Sequence, residues 1–420
     1  MEQLARRLGP RDAVVIGLGS MIGAGVFAAF APAARAAGSL LLAGLAVAAV
    51  VAYCNATASA QLAAQYPTSG GTYVYGRERL GEWWGYLAGW GFVVGKTASC
   101  AAMALTFAAY AVPAAWQRPT AVVAVLALAA VNYRGVTRTA RLAMIIVVAV
   151  LAVLAVVAAA GLLGPAGPEA ARGASPYGVL QSAGLLFFAF AGYARIATMG
   201  EEVREPQRTI PRAILTALAL AVAVYAVIGV ALLHVLGPQR LAASVAPLAD
   251  AVHAAGWDWA APLVRAGAAL ASLGALLALI AGIGRTALAM ARHDDLPRWL
   301  SAVHPRYAVP HRAEVTLAAL VCVLVLTVDL RGAIGFSSFG VLVYYLIANL
   351  AAWTQTGDDR RYPRILQALG AVGCVALVAT LPWPAVVGGI AVFAVGLLYR
   401  ALRLSGRSSG RSSGRFSARS

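Results

Sequence analysis

An all-α integral membrane protein with twelve transmembrane helices is the fold class this sequence predicts, and three observations carry it. The 420 residues are 61% hydrophobic and only 12% charged, with a mean hydropathy of +0.78, more apolar surface than a soluble domain needs. Twelve apolar stretches follow one another, most of them near the roughly 20 residues that span a hydrocarbon core. Two of them are broken by glycine at their midpoints, at matching places five spans apart. A helix break at bilayer depth exposes backbone N–H and C=O groups, and each costs several kcal/mol if unsatisfied. Such breaks therefore persist only beside a cavity or a ligand. A matched pair in two halves of a chain points to a carrier with its ligand site at the midplane.

The stretches lie near 13–34, 39–64, 84–112, 119–133, 140–164, 178–200, 211–236, 260–291, 313–330, 332–355, 364–381 and 383–402. Arg6, Arg7 and Arg11 ahead of the first, and the small residues of 33–37, imitate a secretory signal. The glycine break and the eleven stretches that follow argue against cleavage. The longest links on the N-terminal side of the membrane are 67–83, 201–211 and 293–312. The last reads as a short surface helix between turns. On the opposite side, 237–259 is amphipathic and is expected in the interface. Residues 404–420 repeat Gly-Arg-Ser-Ser and should be a disordered tail. The chain thus divides into an N-terminal segment 1–11, a ten-helix core 12–355, two further helices in 356–403 and the basic tail.

A net charge of +17 invites a nucleic-acid reading, but the positions of the charges exclude it. With the N-terminus in the cytoplasm, inside segments hold 24 of the 33 Lys and Arg residues and outside segments hold six. That is the positive-inside pattern for an even number of spans with both termini cytoplasmic. The excess also attracts anionic membrane lipid. One lysine against 32 arginines, with alanine-rich spans, suggests a bacterial chain. Cys54, Cys100, Cys322 and Cys374 all lie in spans and far apart, so neither a disulfide framework nor a metal site follows.

The first break reads Gly17-Leu-Gly-Ser-Met-Ile-Gly-Ala-Gly-Val-Phe27. Gly19 and Gly23, four apart, make a helix-packing face. Gly17, Gly19, Gly23 and Gly25 together lie all round a helix, at about 1 kcal/mol each, and favour unwinding. Unwinding frees the N–H groups of residues 23–26 at the start of a half-helix, which suits a carboxylate. The carbonyls left behind, such as that of Met21, suit an ammonium group. The second break, Phe187-Phe-Ala-Phe-Ala-Gly-Tyr-Ala-Arg195, offers the complementary set around Ala191 and Gly192. One of its aromatics is a candidate lid, unless all of them form a packing stripe. Two facing breaks can hold both ends of a zwitterion without any charged side chain.

Two charges lie inside spans, Lys96 in the third and Arg195 in the sixth, and intramembrane charges are functional candidates. A desolvated lysine can release its proton and so stand in for a coupling cation, here expected between the first break and span eight; arginine cannot. Snorkelling is the alternative for Lys96. Arg195 reads as an inner-gate partner of Glu201 or Glu202, or as a clamp on freed carbonyls. The run Glu201, Glu202, Arg204, Glu205, Arg208 reads as a solvated face or as part of that gate.

Several motifs resemble those of the amino acid–polyamine–organocation superfamily. They are Gly19-Ser-Met-Ile-Gly-Ala-Gly-Val-Phe27, Pro67-Thr-Ser-Gly-Gly-Thr-Tyr73 with Tyr75, and Asn132-Tyr-Arg-Gly135. Phe190-Ala-Gly-Tyr193, Gly200-Glu-Glu, Pro206-Gln-Arg-Thr-Ile-Pro211 and Arg292-His-Asp-Asp-Leu-Pro297 follow in the same order. The resemblance implies a leucine-transporter-type fold, two inverted five-helix repeats plus two extra helices. It implies a bacterial plasma-membrane amino acid permease without a cofactor. Met21, Gly23, Ala24 and Gly25 would face the substrate's carboxylate and ammonium, with Phe188, Ala191 and Gly192 opposite.

Two departures follow. Many sodium-coupled members place two adjacent hydroxyl residues in span eight, where residues 267–274 offer only Ser272. Some proton-sensitive exchangers of the family carry a glutamate just past the second break, where this chain has Ala194. Uniport, exchange and proton symport stay open, as does carriage of another small amine or an organic acid. An enzyme is disfavoured, since no nucleophile–base pair or metal cluster lies at bilayer depth. A channel is disfavoured because a single midplane site is not a repeated ring.

Overall fold

Each apolar stretch becomes helical, and the first and sixth are interrupted, at Gly23 and Ala29 and over Ala191–Tyr193. The computed structural model describes residues 8–68, 70–135, 140–168 and 175–413. The first span is three pieces, α1 (Pro10–Ile22), α2 (Ala24–Ala28) and α3 (Phe30–Ala37). Then come α4 (Leu41–Gln65), α5 (Thr72–Leu80), α6 (Glu82–Ala111), α7 (Gln117–Tyr133) and α8 (Ala140–Leu163). The sixth span is α9 (Pro176–Phe190), a 3-10 turn over Ala191–Tyr193, and α10 (Ala194–Ala197). The remainder is α11 (Pro206–Ala243), α12 (Pro247–Ala254), α13 (Ala261–Arg292), α14 (His311–Thr327), α15 (Leu330–Trp353), α16 (Arg364–Thr380) and α17 (Trp383–Ser413). Among the described residues, ten helical segments are long and apolar enough to cross a membrane. α14 and α16, at 17 residues each, rise about 26 Å, a little under the hydrocarbon thickness. Among the described residues the β pairing is one isolated bridge between Leu8 and Val203.

The bundle is knit by small residues and by a few buried amides. α6 lies along α15 and α13, and α4 lies along α11, α9 and α15. A Cβ on Gly340 would sit 2.8 Å from the Gly91 carbonyl oxygen and from Gly95 Cα, so α6 and α15 touch backbone to backbone. Asn349 donates to Asn55 Oδ1 at 2.6 Å within the α4–α15 contact, the kind of polar link that holds helices where hydrocarbon offers no hydrophobic drive.

The last helix is tied to the loops on the N-terminal side. Asp295, 4% exposed, accepts from the Tyr73 hydroxyl at 2.8 Å and pairs with Arg400. Arg400 also stacks on Trp83 and Tyr86, and Arg403 donates to Asp294 at 3.0 Å. Burial, then Asp295, pushes the Tyr73 phenol above its ordinary value, so it stays a donor.

The links take definite form, and one expectation about them changes. Helix α17 continues to Ser413, where a tail from 404 was expected; no proline interrupts its hydrogen-bond ladder. Within 293–312 the expected short helix between turns forms as a 3-10 turn, Arg298–Ser301, and α14 begins at His311. Within 237–259, α12 buries Leu248, Ala251 and Val252 against α11, α8 and α13. Arg6, Arg7, Arg138 and Arg172, and residues 414–420 of the tail, lie outside the described residues.

Candidate functional site

Both breaks form where the sequence places them, by different geometries. Gly23, at φ −42° and ψ −131°, turns the chain once between α1 and α2. At the second break the helix tightens into the 3-10 turn and resumes. The first interruption is one residue wide and the second is a change of pitch.

The two breaks touch each other directly. A Cβ on Gly192 would lie 2.3 Å from the carbonyl oxygen of Ser20 and 2.5 Å from the nitrogen of Met21. A Cβ on Gly25 would lie 2.7 Å from Cα of Ala189. The glycines of the first break therefore have packing partners, each on a different side. Gly17 faces Ile196, Gly19 faces Val147, Gly23 faces Ala275 and Gly25 faces Ala189. This corrects the argument that packing accounts for only two of the four. A helix surrounded by neighbours needs small residues all round it, not on one stripe.

The carbonyls at the breaks are satisfied by side chains that the sequence reading did not assign to them. The Tyr225 hydroxyl of α11 donates to the Met21 carbonyl at 2.6 Å, with the Ala189 carbonyl 3.1 Å away. It thereby bridges the first and second breaks. The Ala191 carbonyl accepts from Lys96 Nζ at 3.0 Å, with the Tyr345 hydroxyl at 3.4 Å. Lys96, 7% exposed, therefore sits on the second break, not between the first break and span eight. A tyrosine in mid-span must find an acceptor for its hydroxyl, which was the available signal for Tyr225 and Tyr345.

The aromatics around the second break divide. Phe187 meets Tyr345 at 5.7 Å, Phe190 meets Tyr225 at 5.1 Å and Tyr193 meets Tyr345 at 4.9 Å. Phe188 makes no ring contact among the described residues and is 7% exposed. Arg195 donates to Thr198 Oγ1 at 3.3 Å, not to a carbonyl of the break. The charges that act on it are Arg285 and Glu202. Glu201 and Glu202 lie in the turn beyond α10, where the Glu202 carbonyl accepts from the Leu8 N–H at 3.1 Å. That bond and its return, Arg204 N–H to the Leu8 carbonyl at 2.9 Å, tie the start of α1 to the end of the second break. Ser272, fully buried on α13, has a hydroxyl with no partner among the described residues.

One side of the breaks is sealed and the other is looser. Tyr110 donates to the Phe27 carbonyl at 3.1 Å and accepts from the Leu248 N–H of α12 at 3.2 Å. Arg265 closes on the Tyr110 carbonyl at 2.9 Å. Toward α1, by contrast, Gly19, Ser20, Gly192 and Arg195 are only half-buried. Among the described residues no group of three His, Cys, Asp or Glu side chains is placed to hold a metal ion.

Comparison with known proteins gives a family. The model of the amino acid permease family matches residues 8–399. An uncharacterized transporter of Mycobacterium tuberculosis is 60% identical, over 96% of this chain and 92% of its own length. The branched-chain amino acid permease BcaP of Bacillus subtilis is 25% identical, over 94% and 92%. A chloroplastic cationic amino acid transporter 7 of Arabidopsis thaliana is 28% identical, over 91% and 68%.

Proposed function

The chain belongs to the amino acid permease family, a multi-pass membrane transporter and not an enzyme, and we propose that it carries a small neutral amino acid across a bacterial plasma membrane by alternating access. The proposal includes the leucine-transporter-type arrangement, twelve spans with two inverted five-helix repeats, and both termini in the cytoplasm. The observation that carries it is the meeting of the two breaks, with Gly192 against Ser20 and Gly25 against Ala189. Backbone groups at that junction are the donors and acceptors a zwitterion needs. Met21, Gly23, Ala24 and Gly25 hold its carboxylate and ammonium; Ala191 and Gly192 close from the other side, and Phe188 covers the side chain. The site opens when the two broken helices separate. The Tyr110 seal closes the outer path, and the half-buried Ser20, Gly192 and Arg195 line the inner one. Arg195, Glu201 and Glu202 act at that inner gate, where the Leu8–Val203 bridge holds α1 to the turn beyond α10.

Lys96 supports the choice of a neutral substrate. Its ammonium lies on the Ala191 carbonyl and repels a cationic side chain; an acid to attract one would have to come from elsewhere. The same lysine is the proposed site of proton coupling. Protonated, it holds Ala191; on losing its proton it loosens that carbonyl and helps release substrate, with no sodium required. Exchange without net coupling is the second reading, favoured if Lys96 serves only to satisfy Ala191. Purified protein in liposomes, assayed for uptake of labelled amino acids with imposed proton or sodium gradients, separates these readings. Saturable uptake of neutral amino acids that rises with an inward proton gradient supports the first. Saturable counterflow insensitive to both gradients supports the second, and flux that never saturates defeats both.

A further inference from the structure

Three helices, α1, α8 and α11, begin on the same side of the bundle and leave a cleft between their first turns. Its volume is about 580 Å³, within the range of small-molecule sites. Arg11 of α1 and Arg208 and Arg212 of α11 line it. Arg208 and Arg212 are four apart and so share one helix face; Arg11 approaches from the opposite wall. None of the three guanidinium groups has a hydrogen-bond or ion-pair partner among the described residues. Glu205 also lines the cleft, which leaves three positive charges against one negative. Farther along α1 and α8 the lining is apolar, with Val14, Val15 and Met144, while α11 adds Thr209, Ala213 and Thr216. A rim of unpaired arginines above an apolar floor, at the end of a membrane span, matches a molecule with an anionic head and a hydrocarbon tail. Basic pockets between helices on the cytoplasmic side take lipid headgroups in this way.

We infer that this cleft binds one anionic phospholipid of the cytoplasmic leaflet, its phosphate held by Arg11, Arg208 and Arg212 and its acyl chain lying on Val14, Val15 and Met144. The inference rests on the cytoplasmic placement of the N-terminus for the choice of leaflet only. A bound headgroup would cross-link α1, which carries the first break, to α11, which carries Tyr225, beside the Leu8–Val203 bridge. Binding is therefore expected to resist separation of α1 from α11.

The test uses the full chain in detergent and reads binding without transport, so it stands apart from the substrate proposal. Thermal unfolding is followed while dioleoylphosphatidylglycerol, dioleoylphosphatidylcholine or glycerol phosphate is added. Only the first should raise the unfolding midpoint. Each arginine near a charged headgroup is worth a factor of roughly five in affinity, so R11Q/R208Q/R212Q should bind roughly 100-fold more weakly. A control triple, R292Q/R306Q/R312Q, removes the same charge from another part of the same face and should respond as wild type. If the first triple does not fold, Arg212→Gln and Met144→Glu singly should each weaken the response. Equal stabilisation by the phosphatidylcholine, or a full response in the first triple, overturns the inference. An equal response to glycerol phosphate assigns the cleft to a soluble anion and overturns it as well.

Discussion

The two helix breaks lie against each other, yet they are held open by opposite chemistry. At the first, the displaced Met21 carbonyl is met by a neutral hydroxyl, that of Tyr225. At the second, the Ala191 carbonyl is met by an ammonium group, that of Lys96. A phenol in mid-membrane stays neutral through a transport cycle, whereas an ammonium can lose its proton. Under the proposed mechanism the first break is a fixed scaffold, and the second is the one whose support is withdrawn. The contrast assigns different duties to two features that look alike in the sequence, and it can be broken by substitution.

The largest effect is expected where the breaks touch. Gly192→Leu, Gly25→Leu and Gly23→Leu each put a branched side chain where neighbouring atoms lie under 3 Å from a Cβ. Uptake by each should fall to about 1% of wild type or less, since overpacking costs a few kcal/mol, with membrane insertion unchanged. Gly282, on α13, has open space at its Cβ position, and Gly282→Ala should transport within about twofold of wild type. Wild-type-like uptake by Gly192→Leu or Gly25→Leu at matched expression would sink the site assignment.

The next effect separates the two supports. Lys96→Met keeps the stem and removes the charge. It should abolish accumulation against a gradient while exchange persists. Tyr225→Phe removes one hydrogen bond from a buried carbonyl, worth about 1–3 kcal/mol. Uptake should fall roughly 5- to 150-fold, with its dependence on proton gradient kept. The comparison fails if Lys96→Met still accumulates substrate with unchanged pH dependence. It fails equally if Tyr225→Phe, and not Lys96→Met, loses the coupling.

How much of this was legible beforehand follows from which signals are local. Apolar length and glycine spacing are properties of contiguous residues, and they located the helices and both breaks. Which side chain reaches a given carbonyl is a matter of packing between distant segments. Lys96 stands out in a span by its charge, but nothing in sequence separates a partner at Ala191 from one near Ser272. Tyr225 and Tyr345 are less visible still, since tyrosine is common in spans and its acceptor is 204 residues away for Tyr225 and 154 for Tyr345. Four glycines within nine residues read equally as unwinding and as packing on four sides, and only the neighbours Ile196, Val147, Ala275 and Ala189 decide between them.

The smallest effect on transport is expected far from the breaks, and it checks that the others are specific. Asp295 is buried between Tyr73 and Arg400. Removing one partner of a buried pair strands the other, which can cost about 3–5 kcal/mol. Here Arg400 keeps Glu82 at 3.6 Å and the rings of Trp83 and Tyr86, so the loss should be well below that range. Asp295→Asn retains the shape and an acceptor for Tyr73 while removing the charge that faces Arg400. The unfolding midpoint of purified Asp295→Asn should therefore drop, whereas KM for substrate should stay at its wild-type value. A changed KM with an unchanged midpoint would mean that the α17 clamp reports to the midplane. The two breaks could then no longer be treated as the whole of the substrate site.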